Sequence, residues 1–151
     1  MAETILIVDD ETAARDLLEA VLEKAGYKAE QADGGTSALA RAGVAPPDLI
    51  LLDLMMPWMN GFELCQRLKK DPRTDAVPVI VVTALGEITD KEAALTSGAD
   101  DFVRKPLDPE DLCARVRAML RVRQIRQDLD RTLAYLHELE AARPAHPAGG
   151  R

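Results

Sequence analysis

Three short runs of uninterrupted aliphatic residues constrain this chain more than any other feature: Ile5-Leu6-Ile7-Val8, Leu49-Ile50-Leu51-Leu52 and Val79-Ile80-Val81-Val82. A strand with one wet face alternates polar and apolar residues, so a continuous run means cover on both faces, as in a parallel sheet flanked by helices. The runs lie in segments 4–8, 48–52 and 79–83, and two weaker segments at 27–31 and 101–104 complete a set of five predicted strands. Between them, segments 11–25, 36–42, 61–70 and 89–97 carry apolar residues at three- and four-residue spacing, which predicts helices. Gly26 and Gly98 stand where the first and fourth of these need a left-handed residue to end them. Asp10 is placed to cap the first helix, and Pro109 suits the first turn of the last. Strands alternating with helices define an α/β fold, a five-stranded parallel sheet wound on both faces by right-handed crossovers. Functional groups in such sheets gather at the carboxyl ends of the strands.

Composition narrows the class. With 151 residues the chain suits one ordinary domain, and only 3% aromatic content leaves its core to Val, Ile, Leu, Ala and Met. A net charge of −7 argues against nucleic-acid binding by the domain. Cys65 and Cys113 match no metal or redox spacing and read as small buried hydrophobes in a reducing compartment. No signal peptide and no apolar stretch near the ~18–20 residues of a membrane span is visible, so the expected location is the cytoplasm, away from membranes.

The strand ends hold the chemistry. The first strand runs into Asp9 and Asp10, the third into Asp53, the fourth ends at Thr83, and the fifth leads to Lys105. Each alone has a plain structural reading: an acidic pair caps a helix, an Asp starts a turn, a Thr favours strands, a Lys is solvated. In a parallel sheet, however, all five converge on one crevice. Three carboxylates crowded together repel unless a cation joins them, and an oxygen-only ligand set favours Mg²⁺. A metal beside a carboxylate, a lysine and a hydroxyl is equipment for phosphoryl transfer to the carboxylate.

At this point the chain resembles the receiver domains of two-component response regulators. The resemblance rests on Ile5-Leu6-Ile7-Val8-Asp9-Asp10-Glu11, then Leu52-Asp53-Leu54-Met55-Met56-Pro57-Trp58-Met59-Asn60-Gly61, then Val82-Thr83-Ala84, then Gly98-Ala99-Asp100-Asp101-Phe102 with Lys105-Pro106, in unbroken order over about residues 3–122. It implies a flavodoxin-like strand order 2-1-3-4-5 and a switch phosphorylated by a sensor histidine kinase, not an enzyme acting on other substrates. By the resemblance, Asp53 is the phosphoacceptor. Asp10 and Asp53 hold Mg²⁺ with the Met55 main-chain carbonyl, and Asp9 takes part through water. Lys105 pairs with the phosphoryl group, and its bond to Pro106 is cis. Thr83 moves to the phosphoryl group, and Phe102 rotates inward behind it. That changes the surface made by the fourth helix, fifth strand and fifth helix. Pro57 and Gly61 shape the adjoining loop. Met55 and Leu85 are apolar where some relatives place a water-orienting side chain, and Trp58 sits beside the crevice.

The last helix outruns the domain. No Gly or Pro interrupts residues 110–143, which implies a rod of ~50 Å at 1.5 Å per residue. Its distal part spaces Ala118, Val122, Ile125, Leu129, Thr132, Leu136 and Leu139 by fours and threes, the seam of a two-stranded coiled coil and so of a homodimer. The six arginines between Arg115 and Arg131 read as its solvated face. The expected division is a receiver domain at 1–122, a helical extension at 123–143 and a disordered tail at 144–151. Such extensions resemble linkers that precede diguanylate cyclase or phosphatase modules. His137 and His146 join no constellation. Two other readings compete: a haloacid-dehalogenase-type phosphatase, which wants a second Asp where Met55 stands and a cap over its substrate, and a dimerisation scaffold with an inert receiver.

Overall fold

The computed structural model describes residues 2–54, 56, 59–84 and 97–144. Five strands, β1 (Thr4–Val8), β2 (Lys28–Ala32), β3 (Leu49–Asp53), β4 (Val79–Thr83) and β5 (Asp101–Arg104), form one parallel sheet in the order β2-β1-β3-β4-β5. This is the expected fold. Two strands begin one residue later than the sequence suggests, at Lys28 and Leu49. Because the face of a side chain follows its parity, the later starts change no core assignment.

The aliphatic runs divide by that parity. Leu6, Val8, Ile50, Leu52, Val79 and Val81 face one core layer, with Leu64, Cys65 and Leu68 of helix α3 (Gly61–Lys70) and Ala38 and Ala42 of helix α2 (Gly35–Val44). Ile5, Ile7, Leu49, Leu51, Ile80 and Val82 face the other. They pack on Leu18 and Leu22 of helix α1 (Thr12–Lys24) and on Leu112, Val116 and Leu120 of helix α4 (Pro109–Ala142). β3 and β4 are buried at every position, which is what their lack of alternation requires. Cys65 is buried as expected, whereas Cys113 is only half-buried because it lies beside the buried stripe of α4.

Helix ends follow local chemistry. Gly26 and Gly98 adopt φ of 96° and 97°, the left-handed region that ends a helix at low cost for glycine. Asp108 accepts the Glu110 N–H at 3.1 Å as the cap of α4, with Pro109 in the first turn. Asp10 does not cap α1. Glu11 holds the cap position without a side-chain bond, and Asp9 Oδ1 accepts the Glu11 N–H at 2.9 Å instead. The helix predicted at 89–97 falls mainly on 85–96, outside the described residues, as do Met55, Pro57, Trp58, Leu85 and His146.

Helix α4 is one continuous rod of 34 residues, ~51 Å at 1.5 Å per residue. Its last buried residue is Leu120. Among the described residues, the last hydrogen-bonded tie to the body is Arg123, whose Nη1 donates to Asp48 Oδ1 at 2.7 Å. Asp48 Oδ2 meanwhile accepts the Thr4 N–H at 2.7 Å, so one carboxylate joins the amino ends of β1 and β3 to the helix. Contact with the body therefore extends one residue past the predicted boundary at 122.

Candidate functional site

The carboxyl edge of the sheet is built from register. Asp53 pairs with Val82 on β4, and Thr83 pairs with Arg104 on β5, so Asp53, Thr83 and Lys105 follow one another across three strands. The Lys105 N–H donates to the Thr83 carbonyl at 2.8 Å, and the Lys105–Pro106 bond is cis. Asp9 lies beyond β1 and donates its own N–H to the Ala32 carbonyl at 3.2 Å.

Asp9, Asp10 and Asp53 each bring one carboxylate oxygen within 4.8 Å of the others. Asp9 and Asp53 are buried and Asp10 is exposed. Lys105 Nζ stands 3.5 Å from Asp9 Oδ2 and 3.9 Å from Asp53 Oδ1. Among the described residues Lys105 offsets one of the three carboxylate charges at the cluster, and a divalent cation on oxygen ligands would offset the others. The donor set therefore fits Mg²⁺: all oxygen, strongly anionic, and open to water on the Asp10 side. There Asp10 borders a cleft lined by Asp33, Gly34, Thr36, Ser37 and Met59.

Thr83 is fully buried at the end of β4. It continues the face of Val81, and Val81 pairs with Phe102. Thr83 and Phe102 thus occupy the same side of the sheet on adjoining strands. Phe102 is buried in the α2–α3 layer at 8% exposure, so its ring is already inward in this structure. An inward rotation from an exposed position is not the movement available from here.

Gly61 has a sharper role than turn formation. A Cβ there would lie 2.6 Å from the Asp53 carbonyl oxygen and 2.7 Å from Leu54 Cα, and its N–H donates to the Leu54 carbonyl at 2.9 Å. Glycine lets the start of α3 close against the backbone that carries Asp53.

Several supporting residues escaped the sequence reading. Arg15 Nη1 donates to the Asp9 carbonyl at 2.7 Å, and its Nε donates to Gln31 Oε1 at 2.9 Å. Lys69 Nζ binds Asp100 Oδ2 at 2.9 Å and the Val77 carbonyl at 2.9 Å, closing the opposite end of the sheet. Arg115 joins Asp101 and Asp111 at 2.9 Å and 3.1 Å, and those partners hold its guanidinium above the usual range. The arginines of α4 are thus not all a solvated face; Arg115 and Arg123 tie the helix to the body. A lone arginine on a helix carries no spacing signal that would have revealed these contacts.

Comparison with known proteins agrees with the fold. The response regulator receiver domain model matches residues 5–117, about three quarters of the chain. The chain belongs to the receiver domain family of two-component response regulators. It is 52% identical over 117 residues to the DNA-binding dual master transcriptional regulator RpaA of Synechocystis sp., covering 78% of this chain and 48% of that protein. It is 46% identical over 129 residues to the response regulator PleD of Caulobacter vibrioides, covering 85% of this chain and 28% of that protein. The chain thus spans about half the length of the first relative and just over a quarter of the second. Among solved structures, a CheY-like receiver domain protein from Methanospirillum hungatei superposes with a TM-score of 0.78 at 31% identity, covering 83% of this chain and 99% of that one. Among the described residues, no helix is long and apolar enough to cross a membrane.

Proposed function

We propose that the chain is a phosphorylation switch that takes a phosphoryl group onto Asp53 from the phosphohistidine of a sensor histidine kinase. One observation carries this: Asp9, Asp10 and Asp53 converge within 4.8 Å, with Lys105 Nζ beside two of them. An Asp53 carboxylate oxygen attacks phosphorus. The new P–O bond forms as the P–N bond breaks, and the protonated imidazole leaves neutral with the bonding pair. Asp10 and Asp53, with the Met55 carbonyl and with Asp9 through water, would hold Mg²⁺. When bound, the ion supplies positive charge to the phosphoryl oxygens. Lys105 adds its own charge to the same oxygens, and Arg15 fixes the Asp9 backbone from behind.

Thr83 is the hydroxyl that responds to the added charge of about −1.5 to −2. Phe102, on the same face one strand away, carries the change to β5 and α4. Residues 1–122 act as the receiver and 123–143 as an extension that pairs two copies through Val122, Ile125, Leu129, Leu136 and Leu139. Output passes through that pair, in the cytoplasm, without turnover of an outside substrate.

The test is phosphorylation by acetyl phosphate with Mg²⁺, read by phosphate-affinity electrophoresis and Trp58 fluorescence. Asp53→Asn is expected to abolish both signals, and a mutant that labels like the parent would sink the assignment. Turnover of p-nitrophenyl phosphate by the isolated protein would favour the phosphatase reading instead.

A further inference from the structure

Beyond Leu120 the helix α4 offers an apolar stripe that nothing among the described residues covers. Val122 is 43% exposed, Ile125 57%, Leu129 54%, Leu133 54%, Leu136 53% and Leu139 49%. This stripe is the dimer seam of the proposed function, and the direction of the partner helix rests on that seam. We infer that the second copy runs antiparallel, with Val122 facing the partner's Leu139, Ile125 facing the partner's Leu136, and Leu129 facing the partner's Thr132.

The seam itself permits this. Positions 122, 125, 129, 132, 136 and 139 map onto themselves when the order is reversed, so one two-fold axis satisfies every layer. The flanking residues decide between directions. One flank carries Arg121, Asp128 and Tyr135; the other carries Arg126, Leu133 and Glu140. In a parallel pair each flank meets the opposite flank of its partner about five residues on. Arg121 would then face the partner's Arg126 twice over, and Asp128 would lie against the partner's Leu133. Two threonines would also meet at position 132, leaving that layer poorly filled.

Reversal makes each flank meet itself. Arg126 then faces the partner's Glu140, an opposite-charge pair made twice. Leu133 faces the partner's Leu133 at the axis, which accounts for an exposed leucine outside the seam. Arg121 reaches the face of the partner's Tyr135, a favourable cation–aromatic contact. Thr132 packs on the partner's Leu129 instead of on another threonine. The one like-charge meeting, Asp128 with the partner's Asp128, is softened because Arg131 Nη2 already donates to Asp128 at 2.9 Å.

The foot of the helix agrees. Met119, Val122 and Arg126 line a groove against Lys69, Asp75 and Pro78 of the body. An antiparallel partner brings its helix end, around Leu139 and Glu140, to the mouth of that groove. A parallel partner instead brings its own Val122 there, with no carboxylate beside Arg126. Phosphorylation would then act on two receivers held at opposite ends of one short rod rather than side by side.

Cross-linking of the full chain separates the directions. In a Cys113→Ser background, which leaves only the buried Cys65, Val122→Cys and Leu139→Cys are each oxidised alone and as a mixture. Disulfide dimers are expected only in the mixture, as the hetero-linked species by mass. Dimers from each variant alone would establish the parallel pair and overturn the orientation while keeping the seam. A monomer by sedimentation across concentrations would overturn the dimer itself, leaving Asp53 phosphorylation untouched. Arg126→Glu provides an independent sign. The antiparallel pair is expected to weaken on the order of tenfold as two attractive contacts become repulsive, whereas the parallel pair would tighten.

Discussion

The two halves of helix α4 share one backbone and almost nothing else. From Pro109 to Leu120 the helix places Leu112, Val116 and Leu120 in the core beneath β1, β3, β4 and β5. From Val122 onward its leucines keep the same kind of spacing and stay about half exposed. Nothing in helix propensity distinguishes the halves, since neither contains Gly or an internal Pro. What differs is the partner each face was given. The proximal half has the sheet, and the distal half has whatever the chain meets in solution. Similar apolar spacing is therefore buried in one half and left exposed in the other.

The comparison breaks most visibly under paired truncations. Leu112→Ala opens a cavity at a fully buried site and is expected to cost about 2–4 kcal/mol. Leu129→Ala removes a half-exposed side chain and is expected to change unfolding free energy by less than ~0.5 kcal/mol in dilute monomer. Chemical denaturation of both variants at low protein concentration checks this. Equal losses would mean that the distal half is packed on something within its own chain.

A smaller effect tests the other end of the sheet. Adding Mg²⁺ is expected to raise the melting temperature, because an ion bound only by the folded crevice stabilises it by roughly 1–2 kcal/mol when present well above its dissociation constant. Asp10→Asn is expected to remove most of that increment, and EDTA to abolish it in the parent. Leu129→Ala should leave it intact. A scan of melting temperature against Mg²⁺ for all three proteins would show whether crevice and extension are separable, as the buried core between them suggests.

The fold was legible because its strands are buried on both faces, and that burial leaves an unmistakable mark in runs such as Val79-Ile80-Val81-Val82. The crevice was legible for a related reason. Asp9, Asp53, Thr83 and Lys105 sit at or just past strand ends, and the in-step pairing of those strands lines them up along one edge. Helix contacts were not. Arg15 bonds to a carbonyl, Asp48 reaches an arginine 75 residues away, and Arg115 folds back onto Asp101. Each depends on how a helix lies across the sheet, a tertiary fact with no local periodicity. Asp10 misled for the opposite reason: its residue type suits a cap, but the helix starts one residue later, at the Glu11 cap position, and Asp10 joins the acidic cluster instead.

The Asp48–Arg123 bridge marks where one half of α4 becomes the other, and it offers the finest test of their boundary. Both side chains are partly shielded, at 32% and 24% exposure, and Asp48 also holds the Thr4 N–H. Asp48→Asn keeps a single acceptor oxygen, so it can serve Thr4 or Arg123 but not both. The loss of a partly exposed charged bond is expected to cost about 1 kcal/mol. Its more telling signature is local. Amide hydrogen exchange in residues 121–125 should speed up while that of 112–118, fixed by the buried Leu112 and Val116, stays unchanged. Faster exchange along the whole helix would mean that the bridge holds the proximal half as well, and that the change from core to seam is more gradual than burial alone indicates.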